Sequence, residues 1–138
     1  MKILVSACLL GRNCKYNGGN NYRESVEKLV QGHEVIEVCP EMLAGLGTPR
    51  TPIEIRGGEV VSRDGISMDK VIRDAVAQVL ENIKDEPIEY CVLKSRSPTC
   101  GVHQVYDGTF SGVLVEGSGV LAQALKDAGY RVLDDEDI

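Results

Sequence analysis

Hydrophobic residues in this chain fall into two kinds of pattern, which alternate along its length. Short runs rich in apolar and β-branched residues are typical of strands in a parallel sheet, and they occur at 2–7, 33–38, 88–93 and 130–133. Segments with apolar residues at every third or fourth position predict amphipathic helices, and they cover 20–31, 68–84 and 119–128. The alternation predicts an α/β fold, an open and mostly parallel three-layer sandwich.

Glycine-rich positions predict additions to this sandwich. The pair Gly57-Gly58 lies between two short apolar runs in 53–62, which predicts a hairpin insertion. Segment 108–115 is irregular and rich in glycine, and it predicts a second hairpin or a flap. Between the second strand and the first hairpin, a turn-rich connection includes one expected helical turn at 42–46.

Composition and charge narrow the class of protein. With 138 residues, 43% of them hydrophobic and 26% charged, we expect one globular domain over 1–138, with disorder only at the acidic end, 134–137. The net charge of −6 argues against a nucleic-acid partner, because binding to phosphates needs clustered Lys and Arg. Lys94 and Arg96 form only a small basic cluster, which suits a compact site better than a groove.

The short length of the apolar runs also argues against a membrane protein and against a secreted protein. None approaches the length needed to cross a bilayer, so we expect no membrane partner. The apolar stretch before Cys8 is shorter than the roughly seven to fifteen residues of a secretory signal. We therefore expect a cytoplasmic protein.

Cysteines follow three of the predicted strands. Cys8 and Cys39 come directly after the first two apolar runs, and Cys100 lies just past the third. Cys14 belongs to the loop that begins at Cys8. Because ligands of open parallel sheets bind beyond the carboxyl ends of the strands, we expect these four thiols to meet at one edge. Cys91 lies inside the third strand, where a free cysteine usually serves as a small buried apolar residue.

The number and spacing of the cysteines indicate what they bind. Five is an odd number, which favours free thiols or metal ligands over a disulfide framework. Zinc usually takes cysteines two to four residues apart, whereas ligands gathered singly from distant loops fit an iron–sulfur cluster better. An iron without a protein ligand is a Lewis acid that can bind a substrate sulfur. Two alternatives stay open: unrelated thiols, and a redox pair of Cys8 and Cys14, whose spacing is wider than C-x-x-C.

Polar residues suited to catalysis lie beside these cysteines. Glu41 follows Cys39 closely, and a carboxylate in a partly dry crevice can shuttle a proton. Ser95 and Ser97 precede Cys100 and can donate hydrogen bonds to a carbonyl or a ring nitrogen. Arg50, between two prolines, could clamp an anion or pair with an acid.

Aromatic and histidine residues give weaker signals. Tyr16, Tyr106 and Phe110 could stack on a flat ring, although single aromatic residues more often pack in a core. His33 is expected at the surface near a strand end. His103 is a weak candidate for the site because it is close to Cys100 in the sequence.

Four motifs occur along the chain in the order SACLLGRNCKYNG, VCPE, LGTPR and LKSRSPTCG, followed by the stretches YDGTFSG and GSGVLAQALKDAGYRV. Taken together, over almost the whole chain, they resemble those of a small bacterial family, the 2-thiouracil desulfurases. Lys15 and Asn17 stand where that family often has Arg and Asp, and Thr99 stands where Ser is common. The resemblance implies a Rossmann-like fold and desulfuration of a small thiolated pyrimidine such as 2-thiouracil.

The resemblance also implies a cofactor and its ligands. Cys8, Cys39 and Cys100 would hold a [4Fe-4S] cluster whose fourth iron takes the sulfur, while water replaces it on the ring. Cys14 would be an extra thiol, either beside the cluster or acting in sulfur handling.

The same resemblance gives roles to the polar neighbours. Ser95 and Arg50 are expected as further substrate contacts from their chemistry and not from the resemblance, which would make Glu41 and Ser97 the acid/base and substrate-orienting residues. If these residues are dispensable, the chain would instead be a non-catalytic metal- or cluster-binding module, and this alternative stays open.

Overall fold

The computed structural model describes residues 1–138, which form strands, helices and two 3₁₀ helices. The strands are β1 Lys2–Ser6, β2 Glu34–Val38, β3 Ile53–Arg56, β4 Glu59–Ser62, β5 Ile88–Leu93, β6 Gln104–Tyr106, β7 Leu114–Glu116 and β8 Val132–Asp134. The helices are α1 Glu24–Val30, α2 Pro40–Leu43, α3 Asp69–Ile83 and α4 Val120–Asp127, with 3₁₀ helices at Ala7–Leu10 and Asp135–Asp137. A membrane-spanning helix is absent, since each helix falls short in length or apolar character.

Strands β2, β1, β5 and β8, in that spatial order, form one parallel sheet. Helices cover both of its faces. Because side chains of a strand alternate between the two faces, neighbouring residues of β1 pack against different helices. Leu4 of β1 belongs to an apolar cluster with side chains of α3 and α4. Its neighbours Ile3 and Val5 belong to a second cluster, with Val26 of α1. The predicted α/β fold with a mostly parallel sheet is therefore confirmed, with β1 in the interior of the sheet.

Two antiparallel hairpins stand apart from this sheet. Strands β3 and β4 pair across the turn at Gly57-Gly58, which confirms the hairpin insertion. Strands β6 and β7 form a second hairpin, with Tyr106 paired to Leu114. The glycine-rich segment near 108–115 is thus mostly the tip of this hairpin, and its strands lie at either end.

The observed element boundaries differ from the predicted ones mainly near turns. The first strand stops at Ser6 because the chain tightens into the 3₁₀ helix Ala7–Leu10. The expected helical turn at 42–46 begins earlier, at Pro40, since proline is well suited to the first turn of a helix. Helix α1 begins four residues later than the apolar spacing indicated, at Glu24.

The expectation of disorder at the acidic end was wrong. Asp134 caps the last 3₁₀ helix by accepting hydrogen bonds from the backbone N–H groups of Glu136 and Asp137. Asp135 is buried, where it accepts a 2.7 Å hydrogen bond from the Ser95 backbone N–H and pairs with Arg23. The run of acids is ordered because its carboxylates find donors and a cation elsewhere in the fold.

Candidate active site

A cavity of about 510 Å³ opens at the carboxyl end of the sheet. Ser6 and Val38, the last residues of β1 and β2, line it, as does Lys94, which follows β5. This is the edge at which open parallel sheets bind ligands. The volume falls in the range of small-molecule sites, about 300–1,000 Å³.

Four cysteines line this cavity: Cys8, Cys14, Cys39 and Cys100. Each reaches it from a turn rather than from a strand interior. Cys8 lies in the 3₁₀ helix after β1, and Cys39 is the residue that precedes α2. Cys91 is outside the cavity and fully buried in β5. None of the five forms a disulfide, so four free thiols share one site.

The spacing of the thiols is wider than a single zinc ion requires. Three ligand atoms within 4.8 Å of one another occur only at His103, Asp134 and Asp137, so no three cysteine sulfurs are that close. Tetrahedral zinc with bonds of about 2.3 Å would bring its sulfurs to roughly 3.8 Å. Thiolates gathered singly from separate loops are the ligands that an iron–sulfur cluster would take.

Burial raises the pKa of three of these thiols, Cys8, Cys39 and Cys100. It raises the pKa of Cys8, and a hydrogen bond from Asn21 Nδ2 to the Cys8 sulfur, 3.4 Å long, opposes that effect. Burial, followed by the nearby carboxylate of Glu41, raises the pKa of Cys39 and brings the pKa of Cys100 to about 12. A cationic centre would reverse this preference, because it stabilises thiolates.

The carboxylate of Glu41 lies between two of the thiol-bearing loops. It is only 8% exposed, and its Oε2 accepts a contact of 3.6 Å from the Cys39 thiol. Its Oε1 accepts a 2.8 Å hydrogen bond from the Thr99 hydroxyl. Thr99 Oγ1 also lies 3.6 Å from the sulfur of Cys100. Glu41 thereby connects the second and third strand ends.

A short chain of hydroxyl groups supports this carboxylate. Ser97 Oγ accepts hydrogen bonds from the backbone N–H groups of Thr99 and Cys100, at 3.2 and 3.1 Å. It also lies 3.1 Å from Thr99 Oγ1. Because Thr99 has one hydroxyl proton and donates it to Glu41, the Ser97 hydroxyl is left to donate to Thr99. The order Ser97, Thr99, Glu41 is therefore a directed hydrogen-bond relay.

The loop that carries Cys100 rests on the first turn of α4. The carbonyls of Pro98 and Thr99 accept hydrogen bonds from the backbone N–H groups of Val120 and Leu121, at 3.0 and 2.8 Å. The two segments touch at Gly119, where a Cβ atom would lie 2.4 Å from the Thr99 carbonyl carbon. A side chain at position 119 would force this loop to move.

Arg50 and Ser95 line the cavity and bind other parts of the protein. Arg50 donates to the carbonyl oxygens of Gly47 and Cys14, at 2.8 and 2.9 Å. It therefore joins two loops of the site. The Ser95 hydroxyl accepts a hydrogen bond from Lys94 Nζ at 3.1 Å, and its backbone N–H binds Asp135. Their roles in substrate binding stay predictions.

The aromatic candidates lie at the site and the histidines do not. Tyr16, Tyr106 and Phe110 all line the cavity. His33 is exposed at the beginning of β2. His103 is exposed and its Nε2 lies 2.9 Å from Asp137 Oδ2. His103 is therefore close to Cys100 in the sequence but does not line the same cavity.

Cations outnumber acids around the cavity, although the whole chain carries a net charge of −6. The ionic side chains that line it are Lys15, Arg50, Arg63, Lys94, Arg96, Glu41 and Glu54. Five cations against two carboxylates favour the binding of anionic groups in the cavity. The sequence pointed to the pair at 94 and 96 and to Arg50, but not to Lys15 and Arg63, which come from separate loops.

Fold and cavity together define a class: α/β proteins in which thiols from separate strand ends surround one ligand site. A family model described as 2-thiouracil desulfurase matches residues 3–137, and the chain belongs to that family. The uncharacterized protein YbbK of Bacillus subtilis (strain 168) is 39% identical over 146 residues, covering 99% of this chain and 97% of that relative.

A solved structure extends the comparison to three dimensions. The [4Fe-4S]-dependent thiouracil desulfidase TudS is 32% identical in sequence and superposes with a TM-score of 0.92. The match covers 99% of this chain and 92% of that chain. The predicted family and the desulfurase class are therefore confirmed. The description of TudS agrees with the predicted cofactor. The roles of individual residues stay predictions.

Proposed function

We propose that this protein removes sulfur from a small thiolated pyrimidine such as 2-thiouracil and replaces it with oxygen from water. The observation that carries the proposal is the meeting of three strand-end thiols around one cavity, with the buried carboxylate of Glu41 between two of them. Membership of the desulfurase family and the likeness to TudS support it.

The donor set suits a [4Fe-4S] cluster. Cys8, Cys39 and Cys100 are free, they come from three different loops, and they line one cavity. We assign these three as its ligands. When bound, the cluster would supply an iron without a protein ligand, a Lewis acid that can bind the thiocarbonyl sulfur of the substrate.

Glu41 is the group we assign to proton handling. Replacing a thiocarbonyl by a carbonyl consumes one water and releases hydrogen sulfide, so both protons of the water end on sulfur. A buried carboxylate at the cavity wall can accept one of these protons from the water and return it. Thr99 fixes one oxygen of Glu41, and Ser97 orients Thr99. The predicted substrate-orienting role of Ser97 is therefore exerted at least partly through Thr99.

Cys14 is a fourth thiol at this site. Its carbonyl oxygen is held by Arg50 at 2.9 Å and lies 3.9 Å from the Cys39 sulfur. We propose that Cys14 lies beside the cluster without ligating it, where its thiol is available to handle the released sulfur. Iron content that is unchanged in Cys14→Ala would agree with this assignment.

We place the reaction in the bacterial cytoplasm. Five free cysteines are typical of a reducing compartment. The acidic chain offers no extended basic surface for nucleic acid, and a small thiolated base is the expected partner.

The test uses protein reconstituted with iron and sulfide without air. Wild-type protein should convert 2-thiouracil to uracil, followed by the loss of thione absorbance. Glu41→Gln should keep its iron and lose turnover by about 100-fold or more, as expected when an acid/base group is removed. Full turnover in Glu41→Gln would refute the role of Glu41. A wild-type protein that binds iron and never forms uracil would instead be a cluster-binding module.

A further inference from the structure

The two hairpins, β3–β4 and β6–β7, form the roof of the cavity. Glu54 and Arg63 line it from the first hairpin and its exit, and Tyr106 and Phe110 line it from the second. The roof therefore borders the same space as the four thiols. A substrate bound at the thiols would have roof side chains as neighbours.

One carboxylate fastens the two hairpins together. Oε1 of Glu54 accepts hydrogen bonds from the backbone N–H groups of Gly108 and Phe110, at 3.0 and 3.1 Å. From the same strand, the Arg56 guanidinium donates twice to the Gly108 carbonyl oxygen, at 3.0 and 2.7 Å. Gly108 is necessary for this approach, because a Cβ there would lie 2.7 Å from the carbonyl oxygen of Ile55.

The hydrogen bonds that Glu54 accepts hold Phe110 in an unusual conformation. Its φ of 56° lies in the left-handed region, which residues other than glycine rarely adopt. Such a conformation persists where surrounding contacts determine it, and functional sites are where it concentrates. Phe110 is the only phenylalanine of the chain, and the Arg63 guanidinium lies over its ring, 5.9 Å from the centroid. The ring is thus fixed at the cavity wall from two directions.

We propose that Phe110 stacks on the ring of the substrate and determines specificity for flat heterocycles, and that Glu54 is the positioning residue that holds Phe110 there. The inference rests on the proposed desulfuration of a thiolated pyrimidine and adds the group that recognises its ring. Stacking suits this task because every pyrimidine has a π face, whatever its substituents. In this proposal Glu41 and the cluster held by the thiols would serve the chemistry, and Phe110 recognises the flat ring of the substrate.

The test measures kcat and KM of reconstituted enzyme on 2-thiouracil. Phe110→Ala should raise KM on the order of 10- to 100-fold, the value of one base–aromatic stack, with kcat within about threefold. Phe110→Tyr keeps the π face and should keep KM. Val113→Ala is the matched control, because Val113 is exposed on the same hairpin and does not line the cavity.

Variants of Glu54 test the positioning role. Glu54→Leu removes the acceptor and should raise KM nearly as far as Phe110→Ala, whereas Glu54→Gln keeps an acceptor oxygen and should restore most of the affinity. The double variant Glu54→Leu/Phe110→Ala should be no worse than Phe110→Ala alone, because both changes remove one interaction. Additive losses would overturn the assignment of Glu54.

The outcomes separate this inference from the function on which it rests. Turnover by the wild type with an unchanged KM in Phe110→Ala would overturn the stacking role alone. An equal rise of KM in Val113→Ala would show a general disturbance of the hairpin and would also overturn it. A wild type that holds its cluster and leaves 2-thiouracil intact would overturn the proposed function, and the role of Phe110 with it.

Discussion

The floor of the cavity, made by the thiol-bearing loops, and its roof, made by the two hairpins, are built in different ways. Thr99 and Cys100 of the floor are almost fully buried, and Glu41 is 8% exposed. The tip of the roof is mostly exposed around Thr109 and Ser111, and a few polar contacts to Glu54 and Arg56 fasten it. With the proposed roles, the chemistry would depend on close packing of the floor, whereas recognition of the substrate ring would depend on a few polar contacts that hold the roof.

The largest effect should come from removing a ligand in the floor. Cys100→Ala should lose the cluster, and turnover should fall to background, because two thiols cannot replace three. Iron and sulfide analysis measures the loss. Cys91→Ala is the matched control, since Cys91 is equally buried but outside the cavity. It should cost about 1 kcal/mol of stability and keep the iron. Full iron content in Cys100→Ala would contradict the ligand set.

A second change breaks the relay without touching a ligand. Thr99→Val has a similar shape and leaves Glu41 Oε1 without its donor, so kcat should fall by about 10-fold, the cost of one unmade buried hydrogen bond. Thr99→Ser should restore kcat, because it keeps the hydroxyl. Steady-state kinetics and iron content measure the two variants. Loss of iron in Thr99→Val would mean that Thr99 acts on Cys100 instead.

A third change moves the floor through its contact with α4. Gly119→Ala puts a methyl group against the Thr99 carbonyl carbon, and overpacking of this kind costs typically 1–3 kcal/mol. Urea denaturation should record that loss, together with reduced iron content. Gly117→Ala provides the comparison, because its Cβ would meet Val105 at an ordinary 3.4 Å. Equal stability of the two variants would show that the approach at Gly119 is not tight.

The smallest effect concerns the acidic end that supports the floor. Burial alone would raise the pKa of Asp135, but hydrogen bonds from Ser95 and the nearby cations lower it. The Asp135 carboxylate therefore stabilises the fold above its unfolded pKa, about 3.9, and loses this effect as pH falls through the lower folded value. Asp135→Asn should cost about 1 kcal/mol at pH 7, and the difference should shrink below pH 4. A difference independent of pH would exclude the charge as its cause.

The same contrast explains how much could be predicted from the sequence. Apolar runs that stop at Cys8 and Cys39 specify where a parallel sheet presents its thiols, and that edge is set by the direction of the strands. The hairpins followed from glycine positions, which are local signals. The strand ends of the floor and the hairpins of the roof could therefore both be predicted from the sequence.

Contacts between segments that are distant in the sequence could not be predicted. Thr99 and Glu41 are 58 residues apart and Arg23 and Asp135 are 112 apart, so no local pattern relates them. Asn21, which donates to the Cys8 sulfur, gave no signal beyond being polar. For Thr99, a signal existed in the three hydroxyl residues at 95, 97 and 99. Only packing of the Cys100 loop against α2 and α4 decides which of them meets Glu41.

The most direct measurement of the central claim is a balance of cofactor and product on wild-type protein. After reconstitution without air, the account predicts about four iron and four sulfide per chain. It also predicts that uracil and hydrogen sulfide appear in equal amounts when 2-thiouracil is added. A protein that takes up zinc in place of the cluster, or that holds the cluster and forms no uracil, would contradict it.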